Sequence, residues 1–387
     1  MKLVKMSLAA TMLMGASAFA IDNVKVSGDA KLYYSTDDAK HVDGNANVSD
    51  SLFDKGTSMG EASLNLSLTA DLTEGVSAGT TLNAISTLGL YNNIVSSTWT
   101  GGVQDTFFFG EAWLAGSVGK TTGKVGRMQL DTPLVFSETW SVVPNTFEAA
   151  VLINQDIPDT TLVGAFVGQH NSAAVLGGGF DDFTTSPFKS FYNGAYAIGA
   201  INNSYNPLTV QAWYYDAEHA VKSYWLEADL DLAGFIVGAQ YTGADWHADD
   251  KTGTAYAAKL GYAVEDQFSI SAAYSSVDDE ATAGGNLAGS QSKLYTEAWW
   301  YYGIITQADT TAYNVTATAS VSNFDLGIYY TQAEVGANSD DFAEATFEVA
   351  TSFSALDVGL YYIYTKYDVD NDGDAYNTLQ AYLTYNF

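Results

Sequence analysis

Apolar and polar residues trade places along most of this chain with a period of two. "LNLSLTADL" sets Leu64, Leu66, Leu68, Ala70 and Leu72 on one side and Asn65, Ser67, Thr69 and Asp71 on the other. "FSISAAYSS" does the same with Phe268, Ile270, Ala272 and Tyr274, and "FDLGIYYT" with Phe324, Leu326, Ile328 and Tyr330. Side chains on an extended backbone point to opposite faces in turn, so this period specifies strands with one apolar and one polar face. About eighteen such segments follow one another. Their centres fall near Lys31, Leu66, Leu82, Leu114, Gly126, Val151, Ala165, Ile198, Trp213, Ala228, Ala239, Lys259, Ser271, Ala317, Ile328, Val349, Tyr361 and Tyr382. Only around Phe107–Phe109 is the apolar run continuous and the facing undecided.

The connections alternate as well. Short ones (Leu72–Gly75, Leu232–Gly234, Val264–Gln267, Ser322–Asn323, Ser354–Ala355) are interleaved with long ones (Asp37–Ser58, Gly89–Asp105, Asp131–Thr146, Asn171–Ser190, Asp278–Thr310). Pro133, Pro144, Pro158, Pro187 and Pro207 all fall in connections, as they must if every strand is ladder-paired on both sides. A β-sandwich or propeller also alternates in polarity, but neither has a reason to sort its loops into short and long ends. Tyrosine, phenylalanine and tryptophan crowd toward strand ends ("LYY", "LGLY", "LYYIY"), and the chain finishes on an alternating strand, "LQAYLTYNF", with a terminal aromatic. The expected fold is all-β: a transmembrane antiparallel barrel of about eighteen strands, with short periplasmic turns and longer extracellular loops.

Lys2, Lys5, the run "LAATMLMGASAFA" and the small-residue site at Ala18–Ala20 read as a cleaved secretory signal over 1–20, leaving 21–387 as the barrel. No later segment is a continuous apolar run long enough to span a bilayer as a helix. There is no cysteine, so an exported chain here does without disulfides. A formal charge of −30 argues against nucleic acid as a partner, which needs a basic patch, and for cations and divalent ions at an anionic surface.

The stretch "GKVGRMQLDTPLVFSETWSVVPNTFEAAVL" carries Gly126, Arg127, Leu130, Asp131, Thr132, Pro133, Leu134, Pro144, Asn145, Phe147 and Glu148 in a pattern that resembles the Opr-type porins, which include the porin D family and the major outer-membrane proteins of campylobacter-like bacteria. The resemblance implies an outer-membrane porin built as an eighteen-stranded barrel and assembled as a homotrimer. It also implies an Asp131–Thr146 loop that folds inward to narrow the pore. Some such porins guide carboxylates along a ladder of arginines. This chain has one arginine, Arg127, so no ladder can be built.

With the apolar face outward, the intervening residues line the lumen. These include Asp71, the column Glu227, Asp229 and Asp231, then Asp325, Glu344, Glu348 and Asp357. Carboxylates along a pore concentrate cations and repel anions. The expected function is passive diffusion of ions and small hydrophilic solutes through a cation-preferring pore. Each carboxylate taken singly is also an ordinary solvated lining residue. Arg127 shares a side with Val125 and Gln129 and is expected to point into the pore, toward Asp131, Glu138 and Glu148, either setting a transverse field or pinning the loop. The acidic loops, among them Asp278–Glu280 and Asp340–Asp341, suit divalent bridging to lipopolysaccharide and outer-membrane lipid.

Other functions find less in the sequence. His41, His170, His219 and His247 fit no triad or metal spacing, which disfavours an outer-membrane hydrolase. A surface adhesin or structural barrel would need a plugged lumen or long low-complexity loops. The last long loop reads "DVDNDGD", the front half of a calcium-binding pattern through Asp368, Asp370, Asp372 and Asp374. Leu379 stands where the closing glutamate belongs and the flanks are strands, so the expectation is a weak calcium site or a solvated acidic turn, with no other cofactor.

Overall fold

The computed structural model describes residues 22–43, 46–49, 51–98, 105–171, 188–248 and 250–387. The expected signal segment, Ile21 and Pro187 lie outside the described residues. In chain order the strands are β1 (Asp22–Asp37), β2 (Lys40–Asp43), β3 (Ala46–Ser49), β4 (Ser58–Thr73), β5 (Val76–Ser86), β6 (Asp105–Val118), β7 (Thr121–Met128), β8 (Phe147–Asn154), β9 (Thr160–His170), β10 (Lys189–Tyr205), β11 (Leu208–Ala217), β12 (Val221–Leu232), β13 (Phe235–Trp246), β14 (Lys251–Val264), β15 (Phe268–Val277), β16 (Thr310–Val321), β17 (Phe324–Val335), β18 (Asp340–Phe353), β19 (Leu356–Tyr367) and β20 (Tyr376–Asn386).

β1 and β4–β20 form one 18-stranded antiparallel sheet that closes on itself, and β2 pairs with β3 as a small hairpin in the first long loop. Each expected strand centre falls in a separate barrel strand. Closure happens at β1, where Tyr33 stands opposite Glu61 of β4 and Tyr382 of β20. The terminal Phe387 completes the seam by exchanging two 2.9 Å backbone hydrogen bonds with Gly28. Every barrel strand therefore has two neighbours, which removes the edges that an open sheet must protect.

Residues directly opposite in the ladder share a face, so register assigns the two surfaces. Leu114, Val125 and Ala150 stand in line across β6, β7 and β8, and Leu114 and Val125 are exposed. Such residues make the apolar outer wall. Near the short turns Phe235, Tyr262 and Phe268 line up at 5.1 and 6.2 Å. Toward the long-loop end Tyr256, Tyr274 and Tyr313 do so at 6.0 and 5.2 Å. These are the two interfacial girdles that the crowding of aromatics predicts. The ambiguous Phe107–Phe109 run resolves by alternation: Phe107 and Phe109 face out, while Phe108 packs inward on Ile85 and Val143.

The apolar core lies inside the barrel, not between layers. Leu134 and Val135, from the connection between β7 and β8, pack with Met128, Phe147, Trp213 and Trp225 of the wall. Ala283, Leu294, Ile304 and Ile305, from the connection between β15 and β16, join the same cluster. Two long loops thus fold into the lumen. The inward fold of the first follows from the resemblance. The second carries the aromatic stretch "YTEAWWYYGIIT", Tyr295–Thr306. Its exposed face would strand several large rings in water, and folding inward buries them.

Candidate functional site

The two inward loops meet at Glu138. Its side chain is 1% exposed, and its Oε1 accepts hydrogen bonds from Asn286 Nδ2 (3.0 Å), the Ser290 amide (2.6 Å) and the Gln291 amide (2.7 Å). Its Oε2 accepts from Trp140 Nε1 at 2.8 Å. Asn286 returns a second bond to the Phe136 carbonyl at 3.0 Å. A buried carboxylate needs this many donors to offset its lost hydration. Glu138 is thus a joint between loops, out of reach of Arg127. Gly289 has to be a glycine here, since a Cβ would lie 2.1 Å from Glu138 Oε1.

Lower cost and greater exposure mark the second link. Asp131 of the first loop pairs with Lys293 of the second, and the Lys293 ammonium also lies 4.8 Å from the Phe136 ring centre. The partner of Asp131 is therefore Lys293, where the sequence suggested Arg127. A cavity of about 460 Å³ lies between the two loops and the β12–β13 wall, lined by Leu134, Ser223, Ala244 and Asn286.

The expected column on β12 does face inward. Glu227 accepts from Gln211 (2.6 Å), Trp225 Nε1 (2.9 Å), Gln240 (3.0 Å) and Tyr295 Oη (3.1 Å). Asp229 accepts from Tyr295 Oη at 2.7 Å and lies 3.9 Å from the Lys259 ammonium, which stacks 4.0 Å from the centre of the Tyr295 ring. Asp231 is exposed below them. Glu348 accepts from Tyr329 Oη (2.6 Å) and Tyr361 Oη (3.1 Å), and Asp325 from Ser320 (2.7 Å). Glu344 also points inward but is 1% exposed, beneath the Trp300 and Tyr301 amides at 2.9 and 2.8 Å. It anchors the second loop to the wall and does not line open pore.

Arg127 and Glu148 are placed differently from the expectation. Arg127 stands opposite Ala112 and Glu148, two residues along from the outward Leu114, Val125 and Ala150. Met128 and Phe147, the next pair, point inward into the core. Arg127 therefore lies on the outer face, paired with Glu148 at 2.6 Å, bonded to the Phe109 carbonyl at 2.6 Å and stacked 3.6 Å from the Phe188 ring centre. The parity argument failed because the wall beneath the folded loop is apolar on both sides, so "apolar means outside" misleads at Met128.

A sequence model of the Gram-negative porin family matches residues 7–302, most of the chain. The chain belongs to the Gram-negative porin family. It is an integral outer-membrane β-barrel and a channel for small solutes, and the same membership makes it a channel rather than an enzyme. No curated protein sequence matches the porin at a significant level. Solved structures establish the fold. OpdK of Pseudomonas aeruginosa, crystallised with vanillate, superposes with a TM-score of 0.74 at 11% identity over 95% of this chain and 99% of that one. OccAB1 of Acinetobacter baumannii gives 0.73 at 15%, covering 95% and 97%. A BenF-like porin from Pseudomonas fluorescens gives 0.73 at 14%, covering 95% and 99%.

The last loop of the porin turns its four aspartates to three different partners. Asp372 and Asp374 both reach the Lys40 ammonium, Asp370 accepts its neighbour Asn371 amide at 2.9 Å, and Asp368 accepts the Asp341 amide at 3.2 Å. Among the described residues no three acidic or histidine groups converge as metal ligands. The residues that sequence reasoning missed in the porin are Lys259, Asn286, Lys293, Tyr295 and Trp299. For the four in the second loop the only available signal was the density of aromatics in a loop thirty-three residues long by its expected bounds, Asp278–Thr310.

Proposed function

We propose that this porin is a passive-diffusion channel for ions and small hydrophilic solutes with a preference for cations. The observation that carries the reading is the charge of the lumen wall. Glu227, Asp229, Asp231, Asp325 and Glu348 face the lumen, as do Asp29, Asp71, Glu111 and Asp357, against lysines that include Lys25, Lys31, Lys124 and Lys259. Within a low-dielectric wall such a surplus raises the local cation concentration and repels anions. The two inward loops place an apolar cluster inside the barrel and leave Asp131, Lys293, Asp229 and Lys259 partly exposed beside it.

The finer assignment goes with this reading. The Gly126–Glu148 pattern supports an Opr-type porin, and that in turn supports a homotrimer. Acidic loops at the outer rim support divalent bridging to lipopolysaccharide. The test is the reversal potential of the reconstituted channel in a KCl gradient across a planar bilayer. A cation-preferring potential that weakens in Asp229→Asn and Asp231→Asn is the expected result. An anion-preferring potential would overturn the reading.

A further inference from the structure

Trp299, Tyr329, Tyr361 and Glu348 form a group that the joint between the loops does not use. Glu348 sits on β18 between Tyr329 of β17 and Tyr361 of β19, and both phenol hydroxyls donate to it, at 2.6 and 3.1 Å. Trp299, carried inward on the second loop, stacks on Tyr361 with ring centres 4.5 Å apart and planes 30° from parallel, and lies 6.3 Å from Tyr329. Two glycines let the tyrosine rings lie against the wall. A Cβ at Gly327 would come within 2.6 Å of the Tyr329 ring and 2.8 Å of Glu348 Oε2, and one at Gly359 within 2.8 Å of Tyr361 Oη.

The chemistry of this group is one-sided. The hydroxyls hold the carboxylate in place, but they are neutral and leave its charge uncompensated. Among the described residues no lysine, arginine or histidine comes within ion-pair distance of Glu348. Three aromatic rings beside a fixed negative charge attract a cation twice, through the ring quadrupoles and through the carboxylate, and repel an anion on both counts. Glu348 and Tyr329 also line a cavity of about 460 Å³ that they share with Asp325 and the Val264–Ser269 turn, so the carboxylate side of the group borders open space, while Trp299 and Tyr361 stand outside that cavity.

We propose that Trp299, Tyr329, Tyr361 and Glu348 form a subsite for small organic cations, an ammonium or guanidinium on an apolar body, on the permeation path. The inference rests on the cation preference proposed above and adds a substrate class and a place to it. The probe is phenyltrimethylammonium chloride added to one side of a bilayer holding single wild-type channels in KCl. The expected result is concentration-dependent interruption of the potassium current. The mean interruption should shorten about tenfold in Trp299→Leu and in Glu348→Gln. A cation-preferring wild type with no interruptions, or interruptions equally long in both variants, overturns the subsite and leaves the selectivity reading standing. An anion-preferring wild type overturns both.

Discussion

Glu138 and Asn286 are 148 residues apart in the chain and meet in the middle of the barrel at 3.0 Å. One belongs to the loop after β7, the other to the loop after β15. Around them the Ser290 and Gln291 amides and the Trp140 indole complete the shell of a single buried carboxylate. The pore is shaped by this contact as much as by the strand count. A barrel of eighteen strands is wide enough to leave a water-filled channel, and what narrows it is a pair of loops joined chiefly at this carboxylate, with the Asp131–Lys293 pair as a second link.

Glu138→Ala should release that contact. Each buried donor left without an acceptor costs roughly 1–3 kcal/mol, and several are orphaned at once. The wall strands keep their own ladders, so the barrel still folds. Single-channel recording should show larger, noisier conductance steps in Glu138→Ala, with Glu138→Gln between it and the wild type. Steps of wild-type size and noise would mean that the loops are held elsewhere.

Lys293→Met should separate charge from stability. The Asp131–Lys293 pair is largely exposed, and such pairs contribute about 0–1 kcal/mol. Thermal unfolding in detergent should move little. The lumen, however, loses a positive charge at its narrow section, so the reversal potential should shift toward stronger cation preference. A large fall in thermal stability with an unchanged potential would reverse these two roles.

The barrel itself was legible in the sequence because its rule is local. Alternation over "LNLSLTADL" needs no knowledge of distant residues, and all strand centres could be placed from it. The site was legible only in part. Glu227, Asp229 and Glu348 were found because they interrupt apolar alternation on regular strands. Arg127 was misplaced because Met128 and Phe147 pack beneath an inward loop, which makes both faces of that wall apolar. Tyr295 and Lys293 carried no signal of their own, since their partners Asp229 and Asp131 lie 66 and 162 residues away.

Arg127→Met should leave ion selectivity alone. Arg127 lies on the outer face with Glu148, and its removal leaves an unpaired carboxylate on an apolar surface. The expected loss is about 1–3 kcal/mol of stability. Pairing the change with Glu148→Gln should recover most of it, because the stranded charge goes too. The reversal potential should match the wild type in both variants. A shift toward cation preference in Arg127→Met would put the guanidinium back in the lumen.

The second loop should hold more tightly as pH falls. Glu297 lies within it, with Oε1 accepting the Gly303 amide at 2.7 Å and Oε2 buried without a hydrogen-bond partner among the described residues. Burial above all, with the nearby carboxylates Glu344 and Glu138, pushes its carboxyl well above the usual range, against the pull of the Gly303 and Ser292 amides. In a loop released into water the same group titrates near its ordinary value, about 4.3. The docked loop therefore favours the protonated form. Docking is strongest below that ordinary value and weakens as pH rises toward and through the raised one, where the carboxylate must be charged in a buried place. Open-channel noise should accordingly increase with pH in the wild type. Glu297→Gln, neutral throughout and still able to accept from Gly303, should flatten the rise and stay quiet at alkaline pH. A variant that keeps the wild-type pH profile would assign the effect to another group.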